Sequence, residues 1–78
     1  MKDSISKKIV TIISNTLDVD KNDLTIKSNS NNVKNWDSLA NFGILQSLEK
    51  NFSIKIKTQD FNKLNNIKDI ISLVKKYK

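Results

Sequence analysis

One residue of the sequence has a type and a setting that suggest chemistry: the Ser38 hydroxyl, within Trp36-Asp37-Ser38-Leu39. Ser38 stands where a polar segment ends and an apolar helical pattern begins, a position at which a serine also serves as an ordinary helix N-cap. The sequence contains no His, and Asp37 is the only neighbouring acid. No neighbouring side chain can therefore act as the base that activates this hydroxyl, which argues against Ser38 as a catalytic nucleophile.

The composition excludes several classes of site. Because the 78 residues include no Cys and no His, there is no thiol or imidazole nucleophile, no disulfide and none of the usual zinc sites. No stretch approaches the ~18 apolar residues of a transmembrane helix, and residues 1–13 alternate Lys, Asp and Ser with Ile, unlike a signal peptide. We therefore expect one domain spanning residues 1–78, cytoplasmic and without membrane insertion.

The formal charge of +6, all of its positive residues being Lys, raises nucleic acid binding as an alternative function. The charge is unevenly distributed, with +2 in residues 1–36, −1 in residues 37–52 and +5 in residues 53–78. Lys75, Lys76 and Lys78 end a helical pattern, where the helix dipole favours cations. The absence of Arg also argues against base readout, for which the bidentate guanidinium is the commonest tool.

Apolar periodicity predicts three main helices. The first has an apolar face at helical spacing, with Asp3 or Ser4 as its N-cap: Ile5, Ile9, Ile12, Ile13 and Thr16. A long loop over residues 18–36 follows, with isolated apolar anchors at Val19, Leu24, Ile26 and Val33. Such a long loop is more often functional than idle.

The second helix starts at Asp37 or Ser38, and its predicted stripe contains Leu39, Phe42, Leu45, Leu48 and Phe52, broadened by Ile44. Gly43 within this helix lowers helix stability by about 1 kcal/mol relative to Ala, so we expect it to serve packing or docking. A brief turn follows from Thr58 to Phe61. Asn66 then caps a last helix with a stripe at Ile67, Ile70, Ile71, Val74 and Tyr77. We predict an all-α bundle of three main helices and one short helix.

The register of Asp37-Ser38-Leu39 with the downstream segment Leu48-Glu49-x-x-Phe52-x-Ile54-x-Ile56 carries a family resemblance. With the helix before it and the long loop, the chain resembles a stand-alone acyl carrier protein from Ile5 to Tyr77. This resemblance implies the four-helix bundle of that family. Peptidyl carrier domains are similar in fold but have Gly-Gly where this chain has Asn35-Trp36.

The resemblance also implies a function. Ser38 would carry 4′-phosphopantetheine, transferred from coenzyme A by a phosphopantetheinyl transferase, and the chain itself would catalyse nothing. Loading ligases for acyl or aminoacyl groups, and acyltransferases or synthases, would be its further partners in fatty-acid, polyketide-like or cell-envelope biosynthesis. Asp37, Leu39 and Phe42 would contact these partners, with Phe42 near the mouth of the cargo pocket. We expect a monomer without bound metal.

One departure from the family matters for docking. Familiar carriers are strongly acidic along the second helix, whereas Ala40, Asn41 and Gly43 stand at the corresponding positions here. The sequence therefore favours partners that rely on apolar contact. Two alternatives stay open at this stage. One is a small basic helical domain that binds nucleic acid, and the other is a carrier-like domain that only makes protein contacts and leaves Ser38 unmodified.

Overall fold

The computed structural model describes residues 4–77 as three α-helices and two 3₁₀ helices. The α-helices are α1 (Ser4–Leu17), α2 (Ser38–Phe52) and α3 (Ile67–Tyr77), and the 3₁₀ helices span Lys21–Asp23 and Thr58–Lys63. No strand forms in this part of the chain, where sheet-like pairing is limited to a bridge between Asn29 and Asn66. The predicted all-α bundle is confirmed, whereas the turn at Lys21–Asp23 was not predicted. Asp3, a predicted N-cap, lies outside the described residues.

The predicted faces of α1 and α3 supply much of the core of the bundle. In α1 the stripe residues Ile9, Ile12 and Ile13 are buried, while Ile5 and Thr16 are half-buried. In α3 the predicted residues Ile67, Ile70, Ile71 and Val74 are buried. Each fully buried Ile or Leu side chain contributes roughly 1.5–3 kcal/mol to stability, so these two faces supply much of the driving force for folding.

The register of α2 differs from the sequence prediction. Its buried side chains are Asn41, Ile44, Leu48 and Phe52. Leu39 and Phe42 are 81% and 49% exposed. Leu39 lies nine residues from Leu48, which is two and a half turns, so the two side chains leave opposite sides of the helix. The prediction that Leu39 and Leu48 share one stripe was wrong, and Phe42, which was predicted in the same stripe, is half-exposed.

Gly43 lies where α2 packs closely against α1, which accounts for a glycine inside this helix. A Cβ atom at this position would lie 3.2 Å from Cγ2 of Thr16 in α1. The Thr16 side chain is held in place because its hydroxyl donates to the Ile12 carbonyl at 2.9 Å. The absent side chain therefore allows α1 and α2 to approach closely, at the cost in helix propensity that the sequence already indicated.

The loop between α1 and α2 is tied to the start of α3. The Ser30 amide donates to the Asn65 carbonyl at 2.8 Å, and the Ile67 amide donates to the Ser28 carbonyl at 3.0 Å. Of the predicted apolar anchors, Leu24 is buried and Val19 and Val33 are half-buried. The fourth, Ile26, is 42% exposed, so its anchoring role was predicted wrongly.

A polar cluster joins the end of α3 to the second 3₁₀ helix. The Tyr77 hydroxyl donates to Asp60 Oδ2 at 2.5 Å and accepts from the Lys57 amide at 3.0 Å. Lys63 Nζ lies 3.3 Å from the other Asp60 oxygen. The hydrogen bond from Tyr77, more than the nearby lysine, holds the pKa of Asp60 below its usual range although burial opposes this, and the same bond raises the pKa of Tyr77.

We predict that Tyr77→Phe destabilises the protein at pH 7 and that the loss shrinks on acidification. Because the folded pKa of Asp60 is lowered, its contribution is complete above the unfolded value of about 3.9 and is lost as the pH falls through the folded pKa. The variant removes the main cause of this lowering. Urea unfolding at pH 7 and pH 3 measures the effect, with Asp60→Asn as the control that does not titrate. An equal loss at both pH values would contradict this account.

Candidate functional site

Asp37, and not Ser38, caps α2. Asp37 has an extended backbone and precedes the first helical residue, and its Oδ1 accepts a hydrogen bond from the Ala40 amide at 2.9 Å. This satisfies one of the orphan N–H groups of the first turn. Ser38 is therefore the first residue of α2 and does not serve as its cap. The sequence left open whether Asp37 or Ser38 begins the helix, and in the structure Asp37 is the cap.

The Ser38 side chain is exposed, and within residues 4–77 its hydroxyl makes no hydrogen bond. The amides of Ser38 and Leu39 belong to the first turn, where N–H groups have no intrahelical acceptor. A primary hydroxyl in this setting is accessible to another protein, and the helix terminus tolerates a negatively charged substituent. The arrangement suits a phosphodiester on the Ser38 oxygen.

Trp36 fixes the backbone that leads into this site. Its indole is buried, and its Nε1–H donates to Asn41 Oδ1 at 2.5 Å. Asn41 in turn donates to Asn65 Oδ1 at 3.3 Å. These two hydrogen bonds connect the loop, α2 and the segment before α3. The buried position of Asn41 was not predicted, because a polar residue in a helix is expected to face water.

Asn35 makes the second attachment of the same segment. Its backbone has φ 72°, in the left-handed region that Asn tolerates better than most residues. Its side-chain amide donates to the Leu17 carbonyl at 3.2 Å. Leu17 is the last residue of α1, where carbonyl groups lack intrahelical donors, so the contact caps α1. Asn35 and Trp36 together hold residues 35–37 against two helices.

The structure brings the predicted docking residues to the same end of α2 as Ser38. Leu39 follows Ser38 directly and is strongly exposed, and Phe42 lies one turn further along. Phe42 borders a cleft of about 280 Å³ whose other lining residues are Leu45, Ile56, Lys57, Thr58 and Phe61. Asp37 is exposed as well. The hydroxyl, an acid and two exposed apolar side chains therefore form one continuous surface.

Two other features bear on what the site can hold. Among residues 4–77, no cluster of three or more His, Cys, Asp or Glu side chains is arranged to bind a metal ion. None of the helices in the same range combines the length and the apolar character needed to cross a membrane.

Similarity to known proteins decides the family. No family model matches the chain. It is, however, 34% identical over 76 residues to an acyl carrier protein of Borrelia garinii, covering 97% of this chain and 95% of that protein. The chain belongs to the acyl carrier protein family. It is also 35% identical over 71 residues to an acyl carrier protein of Syntrophobacter fumaroxidans, with 91% and 88% coverage.

The fold agrees with this family. The solution NMR structure of holo acyl carrier protein from Geobacter metallireducens matches with a TM-score of 0.82 at 29% identity, covering 96% of this chain and 86% of that one. Membership of this family confirms the carrier function predicted from the sequence, and the nucleic-acid-binding alternative is not supported. Proteins of this family are carriers, which agrees with a non-catalytic chain.

Proposed function

We propose that Ser38 is the attachment site of 4′-phosphopantetheine and that the chain carries an acyl or related group as a thioester on this arm. The observation that carries the proposal is the exposed Ser38 hydroxyl, which has no hydrogen bond within residues 4–77 because Asp37 caps α2 instead. A serine needed for capping would lose part of the helix stability on modification. This one is available for modification without such a loss.

The residues around Ser38 fit the phosphodiester end of the arm. The first-turn amides of Ser38 and Leu39 and the positive end of the α2 dipole favour a negative charge there. Once attached, the arm supplies the thiol that this Cys-free chain lacks. The protein's part is to keep the attachment point exposed and in a fixed position, through the contacts of Asn35 and Trp36 with α1 and α2.

The partners follow from what the site lacks. Asp37 is occupied by the Ala40 amide, and no His exists to take the serine proton, so a phosphopantetheinyl transferase must supply the base and its magnesium ion. Loading ligases for acyl or aminoacyl groups, and acyltransferases or synthases, would then recognise Asp37, Leu39 and Phe42 beside the arm. We propose that the protein works as a monomer in the cytoplasm, where these enzymes and coenzyme A would meet it.

The cleft beside Phe42 is the candidate position for the start of the cargo. At about 280 Å³ its volume is slightly below the size range of small-molecule pockets, roughly 300–1,000 Å³. Its lining is mainly apolar, through Phe42, Leu45, Ile56 and Phe61. The half-exposed Phe42 ring lies at the edge of the cleft. Because the cleft is small, a long acyl chain would extend beyond it.

Intact-mass spectrometry tests the proposal. We expect the protein to gain the mass of one arm after incubation with coenzyme A, magnesium and a broad-specificity phosphopantetheinyl transferase, and no mass without the transferase. Trypsin cleavage after Lys34 and Lys50 releases residues 35–50, whose hydroxyl side chains are Ser38 and Ser47. Fragmentation of this peptide should place the arm on Ser38. No gain with several transferases would favour the reading of a domain that only makes protein contacts.

A further inference from the structure

The exposed face of α2 carries no acid. Leu39, Phe42, Gln46 and Lys50 are exposed and follow one another at intervals of three or four residues, so they form one stripe, called here the outward stripe. Its members are two apolar side chains, one neutral amide and one cation. The buried residue Leu48 lies on the opposite side of the helix, so no core role accounts for Leu39.

The acids near this stripe are engaged with the backbone. Asp37 Oδ1 accepts from the Ala40 amide, and Glu49 Oε2 accepts from the Ile56 amide at 2.9 Å. The Glu49 side chain is half-buried and reaches toward the segment after α2. Each of these hydrogen bonds occupies one carboxylate oxygen and leaves the other without a hydrogen bond within residues 4–77. Only Asp37, beside Ser38, is exposed.

Apart from Asp37 beside Ser38, the charges that border the stripe are positive. Lys50 ends it, and Lys57 lines the cleft beside Phe42. The one ion pair found in residues 4–77 joins Lys63 to Asp60, so Lys50 and Lys57 are not neutralised by a neighbouring acid there. A cationic partner surface would meet like charge at the Lys50 end of the stripe and at Lys57 beside the cleft, which is unfavourable.

We propose, resting on the carrier function above, that the outward stripe docks onto an apolar patch of the partner enzyme that is bordered by acidic side chains. Leu39 and Phe42 are the anchors, and Lys50 and Lys57 meet the acidic border. Apolar anchors at the centre of a contact carry most of its energy, while charges at the rim guide association. A second copy of the chain is a poorer occupant, because two molecules of charge +6 repel each other.

Loading kinetics with two broad-specificity transferases test this proposal. One has an apolar, acid-bordered carrier-binding face and the other has a face rich in Lys and Arg. We expect the KM of the native protein to be at least about tenfold lower with the first enzyme, and to change little between about 0.1 M and about 1 M salt. Leu39→Ala should raise that KM about tenfold, whereas Ser72→Ala, at an exposed position of α3 outside the stripe, should change it little.

A gain-of-function pair makes the test sharper. Gln46→Glu combined with Lys50→Glu places acids on the outward stripe, and we expect it to lower the KM for the Lys- and Arg-rich enzyme about tenfold and to make loading salt-sensitive. Lys7→Glu is the control for net charge and reproduces −2 of the −3 change that the pair makes. It lies nine residues from Thr16, hence on the side of α1 away from Gly43 and α2, and should leave both KM values unchanged.

The outcomes separate the two proposals. A native protein that is loaded best by the Lys- and Arg-rich enzyme, with steep salt dependence, overturns the docking proposal and leaves the carrier function intact. Association of the protein with itself through the stripe, seen by sedimentation and removed by Leu39→Ala, overturns it as well. Absence of loading by either enzyme overturns the carrier function on Ser38 and the docking proposal with it.

Discussion

Ser38→Ala is expected to abolish loading completely while leaving the fold unchanged and the free energy of unfolding equal or up to about 0.5 kcal/mol higher. The Ser38 side chain is exposed and makes no hydrogen bond within residues 4–77, so its removal costs no native contact described there. Ala is the better helix former at such a position. Intact mass after treatment with transferase and coenzyme A measures loading, and urea unfolding measures stability.

Variants of Asp37 provide the matched control. Asp37→Ala removes the cap on the Ala40 amide and should lower the free energy of unfolding by about 0.5–2 kcal/mol, yet the protein should still be loaded. Asp37→Asn keeps a capping oxygen and removes the charge, so it should retain stability. A slower rate of loading for Asp37→Asn would then report the contact of this acid with the transferase.

The opposite pattern would contradict the assignment of these two roles. If Ser38→Ala lost stability by the amount expected for a cap, Ser38 would take part in capping. If it still gained the mass of an arm, another hydroxyl would be the attachment site, and Ser47 on the same tryptic peptide would be the first to examine. The assignment requires that Ser38→Ala abolishes loading without loss of stability, and that Asp37→Ala lowers stability without abolishing loading.

The sequence predicts the helices well where apolar periodicity and caps agree. In α3, the Asn66 side chain accepts from the Asp69 amide at 2.8 Å, which is the predicted cap, and its amide group donates to Asp69 Oδ2 at 3.0 Å. The buried stripes of α1 and α3 follow the 3.6-residue period because both helices pack one face against the core.

The register of α2 could not be read in the same way. Its core-facing residue nearest Ser38 is polar, because Asn41 pairs with the Trp36 indole, and its outward-facing residues Leu39 and Phe42 are apolar. A pattern of apolar residues alone therefore selects the wrong face of this first turn. Such a conflict between local pattern and packing is expected at functional sites, and it coincides here with the proposed docking surface.

The left-handed C-cap of α2 and the short turn in the loop before α2 were not predicted, for another reason. Ser53 ends the helix in the left-handed conformation with φ 55°, a role more often taken by Gly. The turn at Lys21–Asp23 is one 3₁₀ turn, capped by Asp20 through the Asn22 amide at 2.9 Å. Elements this short carry no periodicity, and contacts distant in sequence, such as the one between Ser30 and Asn65, stabilise the loop.

Trp36→Ala is expected to have the largest effect on stability. Removing a buried aromatic side chain costs about 3–5 kcal/mol. The side-chain oxygen Oδ1 of Asn41 would also lose its indole donor, and an unpaired buried acceptor costs about 1–3 kcal/mol more. Since domains of this kind are stable by only about 5–15 kcal/mol, we expect the variant to be largely or wholly unfolded at 37 °C by circular dichroism.

A double-mutant cycle isolates the part of this effect that comes from the polar pair. Trp36→Phe retains an aromatic ring and leaves Asn41 without its donor, so it should cost more in the native background than in an Asn41→Leu background, where no acceptor remains to be satisfied. The released Asn65 oxygen can bond to water because that residue is exposed. Equal costs in both backgrounds would show that Trp36 acts through packing alone. If the pair does hold residues 35–37 in place, Trp36→Phe should also slow loading of Ser38 at temperatures where the variant is still folded, because the start of α2 would then be less well ordered.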